Sequence, residues 1–544
     1  RGESRQSEGK SDNNETLIKK RMDIINVVEW SRAQFALTAC YHWLFVPLTL
    51  GLGIIVAVME TVYYRTRKQE WLSLTKFWMT LFGVNFAIGV ATGIILEFEF
   101  GTNFSNYSWF VGDIFGAPLA IEGIFAFFCE STFFAVMFFG WKKFSAGQHL
   151  AATWLTAFGA SLSAWWILVA NSWMQYPVGM EFSADQMRNV MVSFRDVALS
   201  PVAVNKFIHA VTSGWCLAGA FVVCVSGWFL MKKRNVDFAV KSIKVGGAVG
   251  LAGILLCMFS GDGSAVEVTK VQPMKLAAME GLYEGKEGTS LVGFGILNTE
   301  KQWDDDKDPM LFEIAIPKGL SILGRHDANA FIPGIKDIIE GKDIVDGKMV
   351  NTVPYAERIK RGKAAQKALA AYNEAKKAGD AVGMAKAEKE LKPDYKYFGY
   401  GYFNDVKEAI PDVAMVFYPF HIMVAVGGWL LVFLAATVFL SFKRRGWLSC
   451  RWKDISIFPL LAFVTLPLAY LCSQCGWIVA EVGRQPWAIQ DIMPVQAAVS
   501  SLSVGQVVTT FVIFGLLFTI LLCAEINIMI KQIKKGPEVQ EHVN

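Results

Sequence analysis

The chain has 544 residues, of which 53% are hydrophobic, 13% aromatic and only 18% charged, against about 25% charged in an ordinary soluble domain. With a mean hydropathy of +0.36, this composition excludes a soluble enzyme. The net charge of +4 is too mild for a nucleic-acid binder, whose basic residues cluster on one face. Charge is also uneven: 46 of the charged residues fall in 262–411, leaving 54 for the other 394 positions. The nine cysteines sit mostly inside apolar runs (Cys40, Cys129, Cys216, Cys224, Cys257, Cys523) and read as small hydrophobes, with no disulfide framework.

Residues 1–21 are polar, end in Lys19-Lys20-Arg21 and lack the apolar core of a signal peptide. The sequence places the functional start at Met22 and gives the preceding segment no role. A helix crossing the hydrocarbon core needs about 20 predominantly apolar residues. Nine stretches qualify: 34–63, 77–98, 117–139, 151–173, 202–231, 238–260, 412–442, 457–480 and 505–530. The expected fold is therefore an all-α integral membrane protein, a bundle of nine transmembrane helices. Its divisions are 22–261 with spans one to six, an outer hydrophilic loop at 262–411, spans seven to nine at 412–536, and a tail at 537–544.

Lys and Arg set orientation. Alternate loops carry Arg65/Arg67/Lys68/Lys76, Lys142/Lys143, Lys232/Lys233/Arg234 and Lys443/Arg444/Arg445/Arg451/Lys453, and the tail carries Lys531/Lys534/Lys535. Those faces are expected in the cytoplasm. The intervening loops, such as 101–116 without Lys or Arg, then lie outside with the N-terminus and the segment 262–411. That segment is too long for a plain connection and reads as a functional lid or a partly disordered insert; within it, 363–391 is rich in Ala, Lys and Glu and reads as a solvated surface helix.

Ionisable side chains inside spans cost at least about 2.5 kcal/mol each and mark functional sites. His42, His209 and His421 lie inside spans. A buried imidazole is a common axial ligand of haem, and a thioether is a common second ligand for an electron-transfer haem, which Met423 could supply. His42, His209, Met423 and Glu481 are expected at one depth, toward the outer face. His421 stands two residues before Met423 and points about 200° away from it around the helix axis, so both cannot easily face one iron. Glu122 and Glu130 are eight residues apart on the third span, about 12 Å along a helix axis, with Glu130 nearer the cytoplasm. Carboxyls stepping toward the iron ligands read as a proton relay. Cys472-Ser473-Gln474-Cys475 has the spacing of a metal pair, but no second pair exists, and it reads as packing.

Three strings carry a family resemblance. They are Ser31-Arg32-Ala33-Gln34-Phe35-Ala36-Leu37-Thr38 leading to Tyr41-His42; Val111-Gly112-Asp113-Ile114-Phe115-Gly116-Ala117-Pro118-Leu119-Ala120-Ile121-Glu122-Gly123; and Gly483-Arg484-Gln485-Pro486-Trp487 after Gly476-Trp477 and Glu481. From Met22 to about Gly536 the chain resembles subunit I of the cytochrome bd quinol oxidases. The resemblance implies that His209 and Met423 hold a low-spin b haem. It implies that His42 and Glu481 serve two high-spin haems, one b and one d or a third b, with Trp477 between haems and Arg32 and Arg484 near propionates. The loop motif is matched by Gln272-Pro273-Met274-Lys275-Leu276-Ala277-Ala278-Met279-Glu280, implying that Lys275 and Glu280 contact quinol in a loop of the long variety. Glu280 would accept a quinol proton while Lys275 orients an oxygen. The chain departs from the family at His421, where Arg is expected; a fixed cation is replaced by a group that titrates near neutral pH.

The implied function is a respiratory terminal oxidase of the bacterial cytoplasmic membrane. It would oxidise quinol outside and reduce dioxygen to water with cytoplasmic protons, generating proton motive force. The implied partners are a second multispan subunit and a small single-span peptide. Two other classes compete: a haem electron carrier without oxygen chemistry, against which Glu481 and Glu122/Glu130 speak, and a transporter, which would show an internal repeat that is not seen here.

Overall fold

A computed structural model describes residues 3–345, 348–442 and 457–537, with side chains outside 3–25 and 343–349. Lys443, Arg444, Arg445, Arg451 and Lys453, which enter the orientation argument, and the tail 538–544 lie outside the described residues. Among the described residues, nine helices are long and apolar enough to cross a membrane: Asn26–Thr66, Gln69–Thr102, Ser105–Phe139, Ala146–Gln175, Phe194–Met231, Val236–Val271, Val406–Phe442, Ile457–Val482 and Val504–Lys535. Nearly all overrun the apolar cores read from sequence, because helical hydrogen bonding continues through polar turns beyond the hydrocarbon.

In chain order, α1 (Glu3–Thr66) and α2 (Gln69–Thr102) form an antiparallel pair. The third span is broken. α3 (Ser105–Ile121) bends at Gly112, whose φ of +48° suits glycine, and passes through a π-helical turn at Glu122–Phe127 into α4 (Phe128–Phe139). α5 (Ala146–Gln175) starts on a capping box at Ser145 and Gln148, and a hairpin of β1 (Met180–Ser183) and β2 (Arg188–Met191) precedes α6 (Phe194–Ala198). α7 (Pro201–Met231) and α8 (Val236–Val271) pack most extensively of all. Their contact is made by small residues: a Cβ on Gly219 would lie 2.5 Å from Gly250 Cα, so glycine lets the two backbones approach closely.

α8 runs past residue 262, the position from which the hydrophilic segment is expected outside. Beyond α8 that segment continues with α9 (Pro273–Glu280), then β3 (Lys286–Glu287), a hairpin of β4 (Leu291–Leu297) and β5 (Met310–Ile316), α10 (Gly319–Arg325), a strand at Phe331–Ile332 paired with β3, and α11 (Ile335–Glu340). α12 (Tyr355–Ala378) and α13 (Ala381–Leu391) cover the stretch expected as a solvated helix. One face of it is buried: Ala365, Leu369, Tyr372 and Leu391 pack with Phe398. The chain re-enters the bundle in α14 (Val413–Phe442) and α15 (Ile457–Val482), then makes a short turn of helix, α16 (Val495–Ala498), before α17 (Val504–Lys535). The principal core, around Leu52, Val56, Trp78, Phe82, Leu217, Val222, Phe229 and Leu434, joins α1, α2, α7, α8 and α14.

Candidate functional site

His209 stands on α7 with Nδ1 3.1 Å from both Cys257 O and Ser260 Oγ on α8. A backbone carbonyl accepts only, so Nδ1 carries the hydrogen and the Nε2 lone pair meets only the weak thiol of Cys257 at 3.8 Å, leaving a nitrogen that a metal could take. His42 on α1 repeats the pattern. Its Nδ1 lies 3.0 Å from Thr92 Oγ1, and that hydroxyl already donates to Gly89 O at 3.0 Å, so Nδ1–H donates and Nε2 is open. Met423 on α14 faces α15 at Gly476, where a Cβ would come within 3.1 Å of its sulfur. Cys472 Sγ donates to Met423 O at 3.3 Å, and both Cys472 and Cys475 are free thiols, in keeping with a packing role. Cys257 Sγ lies 3.7 Å from His209 Nδ1. His421 is different. Its Nδ1 meets Phe417 O and its Nε2 meets Val292 O, each at 2.8 Å, so no ring nitrogen is left for a metal.

Glu481 closes α15. Its Oε2 accepts from Arg484 Nε at 2.9 Å and Nη2 at 2.7 Å, while Oε1 accepts from Asn171 Nδ2 on α5 at 2.9 Å. Arg484 is fixed in turn by Nη1 donating to Trp487 O and Ala488 O. Glu481, Arg484, Arg32, Trp477 and Tyr107 line one cavity of about 340 Å³ between α1 and α15. An apolar slot walled by aromatics, with a carboxylate and two guanidinium groups at its edge, fits the flat, propionate-bearing haem group. Arg32 is partly exposed and pairs with Glu29 at 3.2 Å. Trp477 stacks on Trp43, with ring centroids 5.2 Å apart.

Lys275 and Glu280 are both buried, at 4% and 3% exposure, and each faces a different neighbour. Lys275 Nζ donates to Gln175 Oε1 at 2.7 Å and Gln272 Oε1 at 3.0 Å. Burial, with the charge of Lys206 nearby, holds its ammonium pKa well below the usual lysine range. Gln175 Nε2 donates to Asn171 Oδ1 at 3.3 Å, so a continuous hydrogen-bond chain runs from Lys275 through Gln175 and Asn171 to Glu481. Lys206 also donates to Asn171. Gln175 and Gln490, which Gln272 contacts at 3.3 Å, line a second cavity of about 1240 Å³ beneath the outer segment; Lys275 itself sits behind them. Glu280 Oε2 accepts from Val292 N at 3.4 Å, its Oε1 has no hydrogen-bond partner, and burial pushes its pKa up to about 8.

Glu122 sits at the π-helical turn, with Oε1 accepting from Ser163 Oγ at 2.6 Å and Oε2 buried without a partner. Glu130 is buried, its backbone against α5 where a Cβ on Gly159 would lie 3.1 Å away. Several polar groups escaped the sequence reading. Asn171 and Gln175 share a face of α5 at a spacing of four, and Lys206 and Gln490 carry no motif; only the fold brings the four to Lys275 and Glu481. Glu60, Glu99, His149 and Glu525 are buried ionisable residues, and the rule that singled out Glu122 applies to them too. Glu60 and Glu525 lie inside the apolar stretches 34–63 and 505–530, and Glu99 and His149 lie one or two residues beyond the ends of 77–98 and 151–173.

The family described as cytochrome bd terminal oxidase subunit I matches residues 30–537. The chain is 40% identical over 528 residues to cytochrome bd-II ubiquinol oxidase subunit 1 of Escherichia coli (strain K12), covering 95% of this chain and 98% of that protein. It is 33% identical to cytochrome bd ubiquinol oxidase subunit 1 of Bacillus subtilis (strain 168), covering 94% of each. The bd oxidase of Geobacillus thermodenitrificans shares the fold, with a TM-score of 0.75 at 23% identity over 95% of this chain and all of that one. The chain therefore belongs to the cytochrome bd terminal oxidase subunit I family and is a multi-pass membrane subunit of a quinol oxidase.

Proposed function

We propose that this subunit oxidises quinol on the outer face of a bacterial cytoplasmic membrane and reduces dioxygen to water with protons drawn from the cytoplasm, generating proton motive force. His209 and Met423 would hold a low-spin b-type haem, and His42 and Glu481 would between them serve two further haems, one b-type and one d-type or a third b-type. The observation that carries this reading is the shared state of His42 and His209: each has Nδ1 held by an oxygen, and Nε2 meets no oxygen or nitrogen partner, only the Cys257 thiol at 3.8 Å in the case of His209. Bound haem would supply the electron relay and the place where dioxygen is reduced.

The chain's own groups handle substrate and protons. Gln175 and Gln272 hold Lys275 so that its amine faces the polar chain leading to Glu481, and Glu280 offers an unpaired carboxyl oxygen to a quinol hydroxyl. With its pKa near 8, Glu280 is mostly a carboxylic acid at neutral pH, and its capacity to take a quinol proton grows as pH rises through that value. Arg32 and Arg484 neutralise carboxylates at the edge of their cavity. Glu130 and Glu122 pass protons outward along the third span. The family supplies the expectation of a second multispan subunit and a small single-span one, and the Lys/Arg distribution supports an outside N-terminus and outer segment with the C-terminus in the cytoplasm.

The test is the reduced-minus-oxidised spectrum of membranes carrying His209→Ala or Met423→Ala. Loss of the low-spin b band and of quinol oxidation, with much of the high-spin signal retained, is expected. A low-spin spectrum unchanged in His209→Ala overturns the assignment.

A further inference from the structure

At the end of the bundle that the Lys/Arg count assigns to the cytoplasm, a histidine–carboxyl pair is buried inside the span region. Glu60, near the end of α1, and His149, in the first turn of α5, each have 2% side-chain exposure, and His149 Nδ1 stands 2.7 Å from Glu60 Oε1. His149 Nε2 lies 3.0 Å from Met137 O, a carbonyl in the last turn of α4, so Nε2 carries a hydrogen in every charge state. A single proton therefore lies on the line between Nδ1 and Oε1. Without it, an imidazole lone pair would face a carboxylate oxygen at hydrogen-bond distance.

Glu60 Oε2 accepts from Thr153 Oγ1 at 2.6 Å, and the same hydroxyl has a second acceptor in His149 O at 3.3 Å. When a proton arrives on Oε2, the carboxyl donates to the Thr153 oxygen while the hydroxyl's own hydrogen turns to His149 O, so Thr153 can change from donor to acceptor toward Glu60. Trp141 closes the pair from the turn after α4, its ring centroid 3.7 Å from that of His149, and Lys76 Nζ of α2 lies 5.2 Å from the Trp141 ring centroid. Tyr64, whose hydroxyl lies beside Gly147, is the other titratable neighbour on α1.

The pair stands at the foot of a polar stripe. His149, Thr153, Thr156, Gly159 and Ser163 recur at spacings of four, three, three and four and so share one face of α5. Gly159 backs Glu130, and Ser163 donates to Glu122. From His149 to Ser163 is about 21 Å along the axis, in steps short enough for one or two bridging waters. Buried ionisable groups in a span are costly unless they serve a function, and these lead toward the two carboxyls already read as a relay.

Resting on that reading of Glu122 and Glu130, we propose that Glu60 and His149 form the proton-uptake station of this subunit. A proton from the cytoplasmic water adds to the pair, one leaves through Thr153 along the α5 face to Glu130, and the pair returns to its one-proton state; no electron moves.

The experiment uses the complete oxidase in proteoliposomes, driven by a small ascorbate-reduced dye that bypasses the quinol site. Glu60→Gln, His149→Gln and Glu130→Gln are compared for haem spectra, oxygen consumption and charge movement between about pH 6 and pH 8. With haem spectra intact, Glu60→Gln and His149→Gln should each slow turnover on the order of tenfold near pH 8 and less near pH 6, where bulk protons are more abundant. The double variant should be no slower than either single one, and Glu60→Asp, which keeps a proton site, should recover most of the rate. Slowing in Glu130→Gln alone rejects the uptake station and leaves the relay standing. Normal rates in all three variants reject the relay and the station together. A loss in Glu60→Gln that is equal at every pH, or that Glu60→Asp fails to restore, makes the pair a packing element and overturns the proposal.

Discussion

The protein buries charge in two ways. Around Glu481 every strong group is answered: both carboxylate oxygens are engaged, Arg484 donates to two backbone carbonyls as well, and Asn171 ties the cluster to Gln175 and Lys275. On the third span Glu122 keeps a buried oxygen with no partner, and at the foot of α5 Glu60 shares one proton with a titratable partner, His149. A saturated network fixes geometry, since moving any member strands the others. A carboxyl with an open oxygen, or one paired with a titratable group rather than a fixed cation, can gain and lose a proton. The first arrangement suits holding a prosthetic group at an edge, and the second suits transport.

The contrast predicts opposite phenotypes. Arg484→Ala strands a buried carboxylate and two backbone carbonyls, and removing one partner of such a pair costs about 3–5 kcal/mol. Thermal unfolding of the purified subunit assembly should show a large drop in midpoint, accompanied by loss of haem. Glu130→Gln should shift the midpoint little, by less than about 1 kcal/mol in stability, while slowing dye-driven turnover. Comparable destabilisation by both would erase the distinction.

Glu280 tests the boundary between the two classes, since one oxygen is engaged and the other open. Its pKa of about 8 lies above that of an ordinary carboxyl, so its proton-accepting form is scarce below pH 8 and gains with pH. Quinol turnover should therefore rise through about pH 8 in the parent protein, and Glu280→Gln should flatten that limb while leaving every haem band in place. Retention of the rise in Glu280→Gln would assign it to another group.

Much of this was legible in the sequence. Nine apolar stretches gave the bundle, and the cost of charge in lipid led to His42, His209, Glu122, Glu130 and Glu481. Three-dimensional convergence was not legible. Asn171 and Gln175 share a face of α5 at a spacing of four, but nothing in the sequence announces that Lys275 on α9 and Glu481 on α15 join them in one chain. Nor did hydropathy reveal that Lys275 and Glu280, in a polar segment, are buried; α9 sinks into the bundle because Met274, Ala277, Ala278 and Met279 pack against their neighbours on both sides of it. Glu60 and His149 were missed at the span ends, where a titratable residue looks like ordinary surface.

The smallest expected effect concerns His421, which sits where Arg is expected. Its two ring nitrogens face carbonyls, Phe417 O within its own helix and Val292 O on β4. Val292 N in turn donates to Glu280, and Tyr418 OH accepts from Leu297 N at 3.1 Å. The first strand of the hairpin is thus pinned to α14 at two points, and one of them also places the backbone N–H that orients Glu280. His421→Ala removes a single anchor from a strand that Tyr418 still holds, so quinol KM should rise only about two- to fivefold, in line with one modest hydrogen bond, with kcat for dye-driven turnover unchanged. His421→Arg restores a donor that reaches the same carbonyl and should return KM most of the way. Adding Tyr418→Phe to His421→Ala should give more than the sum of the two, because the strand would then have lost both pins. If His421→Ala instead lowers dye-driven turnover as strongly as quinol turnover, the residue acts on the metal side of α14 through Met423, and its contact with β4 is incidental.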